Sequence, residues 1–208
     1  MTTQKFDELA TKDVVTKTEK ALVEHNFIPE SVEKGRDALA RIKELIPAGA
    51  SVMNGASKTL EQIGYVDYLK EGKHGWNNLH AAVLAETDKQ KQALLRKQSV
   101  VSDWYLGSAH AITQDGQIVV SSASGSQLPH LAFTSPNIIL VVSTEKIVPN
   151  LQDAFDRIKT YVVPLEDARM KAALGYGTAL NKTLILHGEH PAMGRKVHII
   201  FVNEKLGF

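Results

Sequence analysis

The chain has 208 residues, 24 Lys plus Arg against 23 Asp plus Glu, and no cysteine. The charge balance argues against a phosphate-backbone binder, which gathers a basic excess on one face. The missing thiols exclude disulfides, thiolate-held clusters and cysteine nucleophiles. A composition 43% hydrophobic and 23% charged is that of a folded chain with one large core.

The opening MTTQKFDELATKDVV is polar and carries acids, unlike a secretory leader. Phe6, Leu9, Ala10, Val14, Ala21 and Leu22 then recur at helical spacing, up to His25-Asn26. A second helix is expected after Pro29, on Val32, Leu39, Ile42 and Ile46, closed by Pro47. Residues 1–48 thus read as an N-terminal helical segment packed on an α/β domain of residues 49–208.

Ala50 to Met53 is a short apolar strand that runs into Asn54-Gly55-Ala56-Ser57, and Thr59 to Leu69 reads as a helix. A polar helix is expected from Glu86 to Val101, and a strand from Trp104 to Ile112. Asp115-Gly116 suits a two-residue hairpin turn between Ala111–Thr113 and Gln117–Val120. Ser121 to Gln127 reads as a small polar loop. Asn137 to Ser143 (NIILVVS) is apolar on both faces, as a central parallel strand is. A helix over Leu151 to Val162 and strands at Thr183–Leu186 and Val197–Val202 complete the series. No apolar run reaches the roughly 20 residues that span a bilayer. The fold class expected is α/β, a mixed, largely parallel sheet flanked by helices, in a cytoplasmic protein with neither membrane nor nucleic acid as partner.

Three candidate sites follow from these placements. Asn54, Gly55, Ser57, Lys58 and Thr59 lie where a strand end meets a helix start, a place that offers backbone donors, hydroxyls and a cation to a phosphate or carboxylate. The plainer alternative is that Ser57 or Thr59 caps the helix while Gly55 makes a tight turn. Ser124, Gly125 and Ser126 are small groups able to bond a ligand's polar atoms, and equally suit a solvated loop. Lys146 with Glu145, just past the central strand at the edge where open α/β sheets bind ligands, is the third. His110 can act as an acid or base or bond to backbone. His187, His190 and His198 lack a helical frame or thiolate partners, so no metal site is assigned. Asp103-Trp104-Tyr105 reads as core. With no Gly-x-Gly-x-x-Gly after the Val52-Met53 strand, no dinucleotide or other cofactor is expected.

Asn54 to Gly64, Ser108 to Gly116, and Gly125-Ser126 with Glu145 to Pro149 and Asp153 to Arg157, in that order, resemble the lactate-utilization (LUD) family. The closing Val202 to Phe208 fits as well. The resemblance implies a sheet like those of ribose-phosphate isomerase, glucosamine-phosphate deaminase and the CoA transferases. It also implies a bacterial protein encoded beside iron–sulfur partners that oxidise lactate. The pairing of Lys146 with ligand charge, and Glu145 as a weaker nucleophile candidate, are further implications of the resemblance. Many members carry a C-terminal cysteine cluster where this chain has Ala172 to Thr178, and His110 stands where the family often has Asn. The function expected is an accessory, non-redox component of lactate utilization that binds a small anion or iron–sulfur subunits, with homo-oligomers left open. The alternative is a stand-alone isomerase- or CoA-transferase-like enzyme acting on a phosphorylated or CoA-linked metabolite.

Overall fold

The computed structural model describes residues 6–208, so the first five residues of the polar opening lie outside it. Ten strands are formed: β1 Ile28–Val32, β2 Ser51–Asn54, β3 Asn77–Asn78, β4 Trp104–Gly107, β5 Ala111–Thr113, β6 Ile118–Ser122, β7 Asn137–Ser143, β8 Ile147–Val148, β9 Lys182–Leu186 and β10 Lys196–Val202. Six of them make an all-parallel sheet in the order β1-β10-β7-β4-β2-β3. The other four make a smaller mixed sheet, β8-β5-β6-β9. The helices are α1 Lys12–Glu24, α2 Gly35–Leu45, α3 Lys58–Gln62, α4 Tyr65–Lys70, α5 Leu79–Ala85, α6 Lys89–Gln98, α7 Leu151–Arg157 and α8 Val163–Leu174. The result is an α/β fold with a largely parallel sheet flanked by helices.

The double-faced apolar run NIILVVS sits at the centre because both of its faces are covered. Ile138, Leu140 and Val142 join one core cluster, with Val197, Ile199 and Phe201 of β10 and Leu22 of α1. Ile139 and Val141 join the opposite cluster, with Ala38 and Ile42 of α2, Leu60 of α3 and Tyr65 of α4. The period of two along each strand assigns alternate residues to the two layers. The smaller sheet closes the first layer through Ile112, Ile118 and Val120. Its other face, with Ala111, Val119 and Val148, packs on Ala154 and Ile158.

Several boundaries differ from the sequence expectation, each for a local reason. Residues 28–32 form edge strand β1, paired to β10 from Ile28↔His198 to Val32↔Val202, and the second helix begins only at Gly35. The first 48 residues therefore give the main sheet a strand as well as two helices. The expected helix over 59–69 breaks at Gly64, where φ of 82° ends α3 and starts α4. The expected helix over 86–101 starts later, at Lys89 behind the cap of Asp88, and tightens into a 3-10 turn over Ser99–Val101. The expected strand over 104–112 is two, β4 and β5, separated by a turn over residues 108–110 that follows Gly107. Pro164 does not stop the helix begun at Leu151. It lies in the first turn of α8, where a proline needs no N–H donor, and a π-turn over Ile158–Val162 joins α8 to α7.

The expected hairpin is present, though its loop is three residues, Gln114 to Gly116, rather than two, and it also seats α1. Thr113 N–H donates to Gln117 O at 2.9 Å, with Gly116 at φ 87°. A Cβ at Gly116 would lie 2.9 Å from the Ala21 carbonyl carbon and 3.1 Å from His25 Nδ1. Gly116→Ala is therefore expected to lower the unfolding free energy by about 1–3 kcal/mol, the range for a non-glycine residue forced into a sparse backbone region. Urea denaturation checks this, and an unchanged midpoint would contradict the close packing of hairpin on helix.

Candidate functional site

The chain leaves β2 toward the β3 edge and returns past it to β4, so connections diverge at the carboxyl ends of β2 and β4. In open α/β sheets such a divergence leaves a crevice. A cleft of about 620 Å3 opens there, lined by residues 55–59 after β2, 107–110 after β4, 121–124 after β6, Lys146 after β7, and parts of α8 and residues 176–181.

Lys146 lies in a 3-10 turn, Thr144–Lys146, directly after β7, and is 2% exposed. Its Nζ donates to Thr59 Oγ1 at 3.1 Å and Ser108 Oγ at 3.3 Å. Among the described residues it forms no ion pair. Hydrogen bonds to a charged group stabilise by about 1.5–3 kcal/mol each, whereas desolvating an ammonium costs several kcal/mol. Desolvation wins: burial first, then the positive field of Arg157, push the Lys146 amine down to about 7, against a smaller upward pull from Glu145.

Thr59 is 1% exposed, and its hydroxyl also donates to Leu206 O at 3.4 Å. The segment after β10 folds over this pair. Gly207 takes φ 70° and donates its N–H to Gln62 Oε1 at 2.6 Å. A Cβ there would collide with Thr59 Oγ1 and come within 2.8 Å of Lys146 Nζ.

His110 accepts a hydrogen bond at Nδ1 from Ser121 N–H, at 3.1 Å, which leaves the neutral ring's proton on Nε2. Burial, with the charges of Lys146 and Arg157, drives its pKa down to about 3. The ring is thus a neutral donor on the cleft wall rather than an acid near neutrality. Behind it, buried Arg157 donates from Nη1 to His110 O at 2.6 Å, and burial pushes the guanidinium down to about 10. Glu145 is 4% exposed and does not line the cleft. Burial raises its pKa, opposed by Lys146, Arg157, Ser143 and the Leu206 backbone.

The structure brings together Gly55, Ser57, Lys58, Thr59, Ser124, Ser126 and Lys146 around the one cleft, though not as equals. Only Thr59 of the 54–59 turn touches Lys146. Ser57 Oγ caps α3 by accepting from Leu60 N–H at 3.3 Å, and Lys58 pairs with Glu61 at 3.0 Å. Asn54 lines a separate, smaller cavity. Gly55 has no room for a side chain, since a Cβ would lie 2.9 Å from the Tyr105 hydroxyl. Ser124 donates to Ser126 Oγ at 3.1 Å, while Gly125 packs on the Lys182 side chain and is not on the cleft wall. Trp104 and Tyr105 are buried, as the core reading has them, whereas Asp103 is exposed and accepts from Ser51 N–H at 2.8 Å. His190 caps a 3-10 turn and His198 stacks on Trp104 at 6.1 Å. Ser108, Arg157 and the α8 wall of Glu166, Arg169 and Met170 had no part in the sequence reading of the site. For Ser108 a signal existed: the small pair Gly107-Ser108 interrupts the run from Trp104.

A lysine with a lowered folded-state pKa binds fewer protons when folded than when unfolded. Stability must then rise with pH between about 7 and its ordinary value of 10.5. Lys146→Met is expected to stabilise the fold at about pH 6, by up to roughly 4 kcal/mol, and to flatten that rise. Urea denaturation at about pH 6 and about pH 9 reads both; a variant less stable than wild type at the lower pH would contradict a desolvated ammonium.

The model of the LUD domain family matches residues 15–202. The fold is similar to the crystal structure of a DUF162 family protein from Deinococcus radiodurans, with TM-score 0.57 and 12% identity over 94% of this chain and 100% of that one. No functionally curated protein matches. With all but the two ends of the chain under the family model, the protein belongs to the LUD domain family, which is associated with lactate utilization.

Proposed function

We propose that the chain binds a small carboxylate or phosphate in this cleft as a non-redox component of bacterial lactate utilization, alongside iron–sulfur subunits. The observation that carries the reading is Lys146: an ammonium on the cleft wall, buried, and matched only by two hydroxyls. An anion set against it supplies the charge partner that the fold withholds. His110 Nε2–H and the serines of 121–126 add neutral donors around the same space. The cysteine-free chain has no thiolate to ligate a cluster, so electrons taken from lactate would travel through partner proteins.

The alternative, a stand-alone isomerase- or CoA-transferase-like enzyme, has one observation in its favour. An amine with a pKa of about 7 can give or take a proton near neutrality beside a bound substrate. Against the transferase form stands Glu145, which is not on the cleft wall and so is not presented to a thioester.

Titration calorimetry with L-lactate, which stays ionised throughout, tests the reading, with pyruvate and inorganic phosphate as further probes. Because the anion selects the protonated amine, affinity should be flat below about pH 6 and fall about tenfold per pH unit above about pH 8. Lys146→Met should abolish it. No binding by any of the three probes, or binding indifferent to Lys146→Met, overturns the proposal. Turnover of a sugar phosphate or CoA ester that the same substitution removes would favour the enzyme.

A further inference from the structure

A second cavity, of about 230 Å3, lies on the far side of the Gly55–Ala56 backbone, bounded by the end of β2, by α5 and by α6. It shares Gly55, Ala56, Tyr105, Ser126 and Gln127 with the main cleft, and its own polar residues are Asn54, His80, Arg96, Ser99 and His130. Ser99 Oγ donates to Arg96 O at 2.8 Å and His130 Nδ1 is bonded to Ser135 Oγ at 2.8 Å, while Asn54, His80 and Arg96 carry groups without a partner among the described residues. Drug-sized ligands occupy pockets of roughly 300–1,000 Å3, so this volume suits a smaller metabolite.

The hydrogen-bonding state of those three groups defines what fits. Asn54 is 4% exposed, and its Nδ2 donates to Gly55 O at 3.1 Å, which fixes the amide orientation. Its Oδ1 is buried with no partner. His80 bonds the Asn54 backbone as a donor, which leaves Nδ1 as an acceptor, also buried with no partner. Both residues line the same small cavity, and an unmet buried acceptor costs about 1–3 kcal/mol. A carboxylate alone would be repelled by them. A group with several N–H donors would satisfy both. At the mouth stands Arg96, exposed and without an ion pair among the described residues. Desolvation, joined by the Arg96 charge and opposed by the bond to Asn54, lowers the His80 pKa, so the ring keeps its acceptor at neutral pH.

We propose that this cavity is a subsite for a small amino acid, with its ammonium against Asn54 Oδ1 and His80 Nδ1 and its carboxylate on Arg96. The assignment goes beyond the anion reading of the main cleft and does not depend on it. The two sites oppose each other chemically. The main cleft presents a buried cation with hydroxyls and takes an acid without an amine, whereas the second presents paired acceptors and takes the amine.

L-alanine and L-lactate differ at one substituent, ammonium for hydroxyl, and so separate the sites. The experiment is an amide NMR titration of the full chain with glycine, L-alanine and L-serine, beside L-lactate and propionate. The expected result is that at least one amino acid shifts signals from residues 53–56 and from α5 and α6, and that propionate does not. Arg96→Gln and Asn54→Leu should each weaken that binding about tenfold or more, while Lys146→Met leaves it unchanged. Arg96 is exposed, so its substitution keeps the test open if Asn54→Leu fails to fold. No response to the three amino acids, or binding that Arg96→Gln leaves intact, overturns the assignment and makes the cavity a solvent pocket. Loss of L-lactate binding alone would sink the reading of the main cleft and leave this one standing.

Discussion

One desolvated ammonium sets the terms for the structure around it. Lys146 directly follows the central strand β7, so its side chain is all but cut off from bulk water and meets its partners at the cleft wall. The sequence supplies two hydroxyls, from Thr59 in the first turn of α3 after β2 and from Ser108 just after β4, two neighbouring strands of the same sheet. That convergence is a consequence of parallel topology. Every strand of the main sheet delivers its carboxyl end to the same edge, and residues 87 apart in sequence meet there.

The cage is completed from behind and from above. Arg157 fixes the 108–110 turn through the His110 carbonyl, and Ser121 fixes the tautomer of the His110 ring. Leu206 and Gly207 close over Thr59, and only a residue without a side chain can pass so near the ammonium. Ser143 donates to Glu204 O at 2.6 Å and Glu204 accepts from Gly35 N–H at 2.8 Å, so the closing segment is tied to both β7 and α2. The amine is thus tied to fixed partners, and burial with the charge of Arg157 holds its pKa low.

Much of this was legible in the sequence, and the residues show where legibility stops. NIILVVS announces a central strand because no half-exposed strand tolerates so long a run of apolar or small buried positions. Asp115-Gly116 announces its turn because few residues accept φ near 87°. From the strand's position alone, Lys146 could be placed at the sheet's ligand edge. What stayed hidden was the difference between lining a cleft and acting in it. Ser57 and Thr59 are chemically alike and two residues apart, yet one is consumed in capping and the other meets the lysine. That choice depends on how α3 is rotated against β7. The burial of Arg157 was hidden for a similar reason: the sequence places it at the end of the family-like stretch Asp153 to Arg157 without a role, and only the packed structure shows it fully buried. Strand β1 was missed because Pro29 fits a helix start as well as it fits an edge strand.

Polar groups are divided by kind across the Gly55–Ala56 partition. Folds remove buried unpaired polar atoms readily, because apolar substitutes of similar shape are available and cost little. Here the partition has an unmatched cation on one side and unmatched acceptors on the other, Lys146 against Asn54 and His80. Gly55 leaves no room for a side chain between the two, and each cavity keeps its own polar groups, Lys146 and Ser108 on one side and Asn54, His80 and Arg96 on the other, so a ligand in one need not engage the groups of the other.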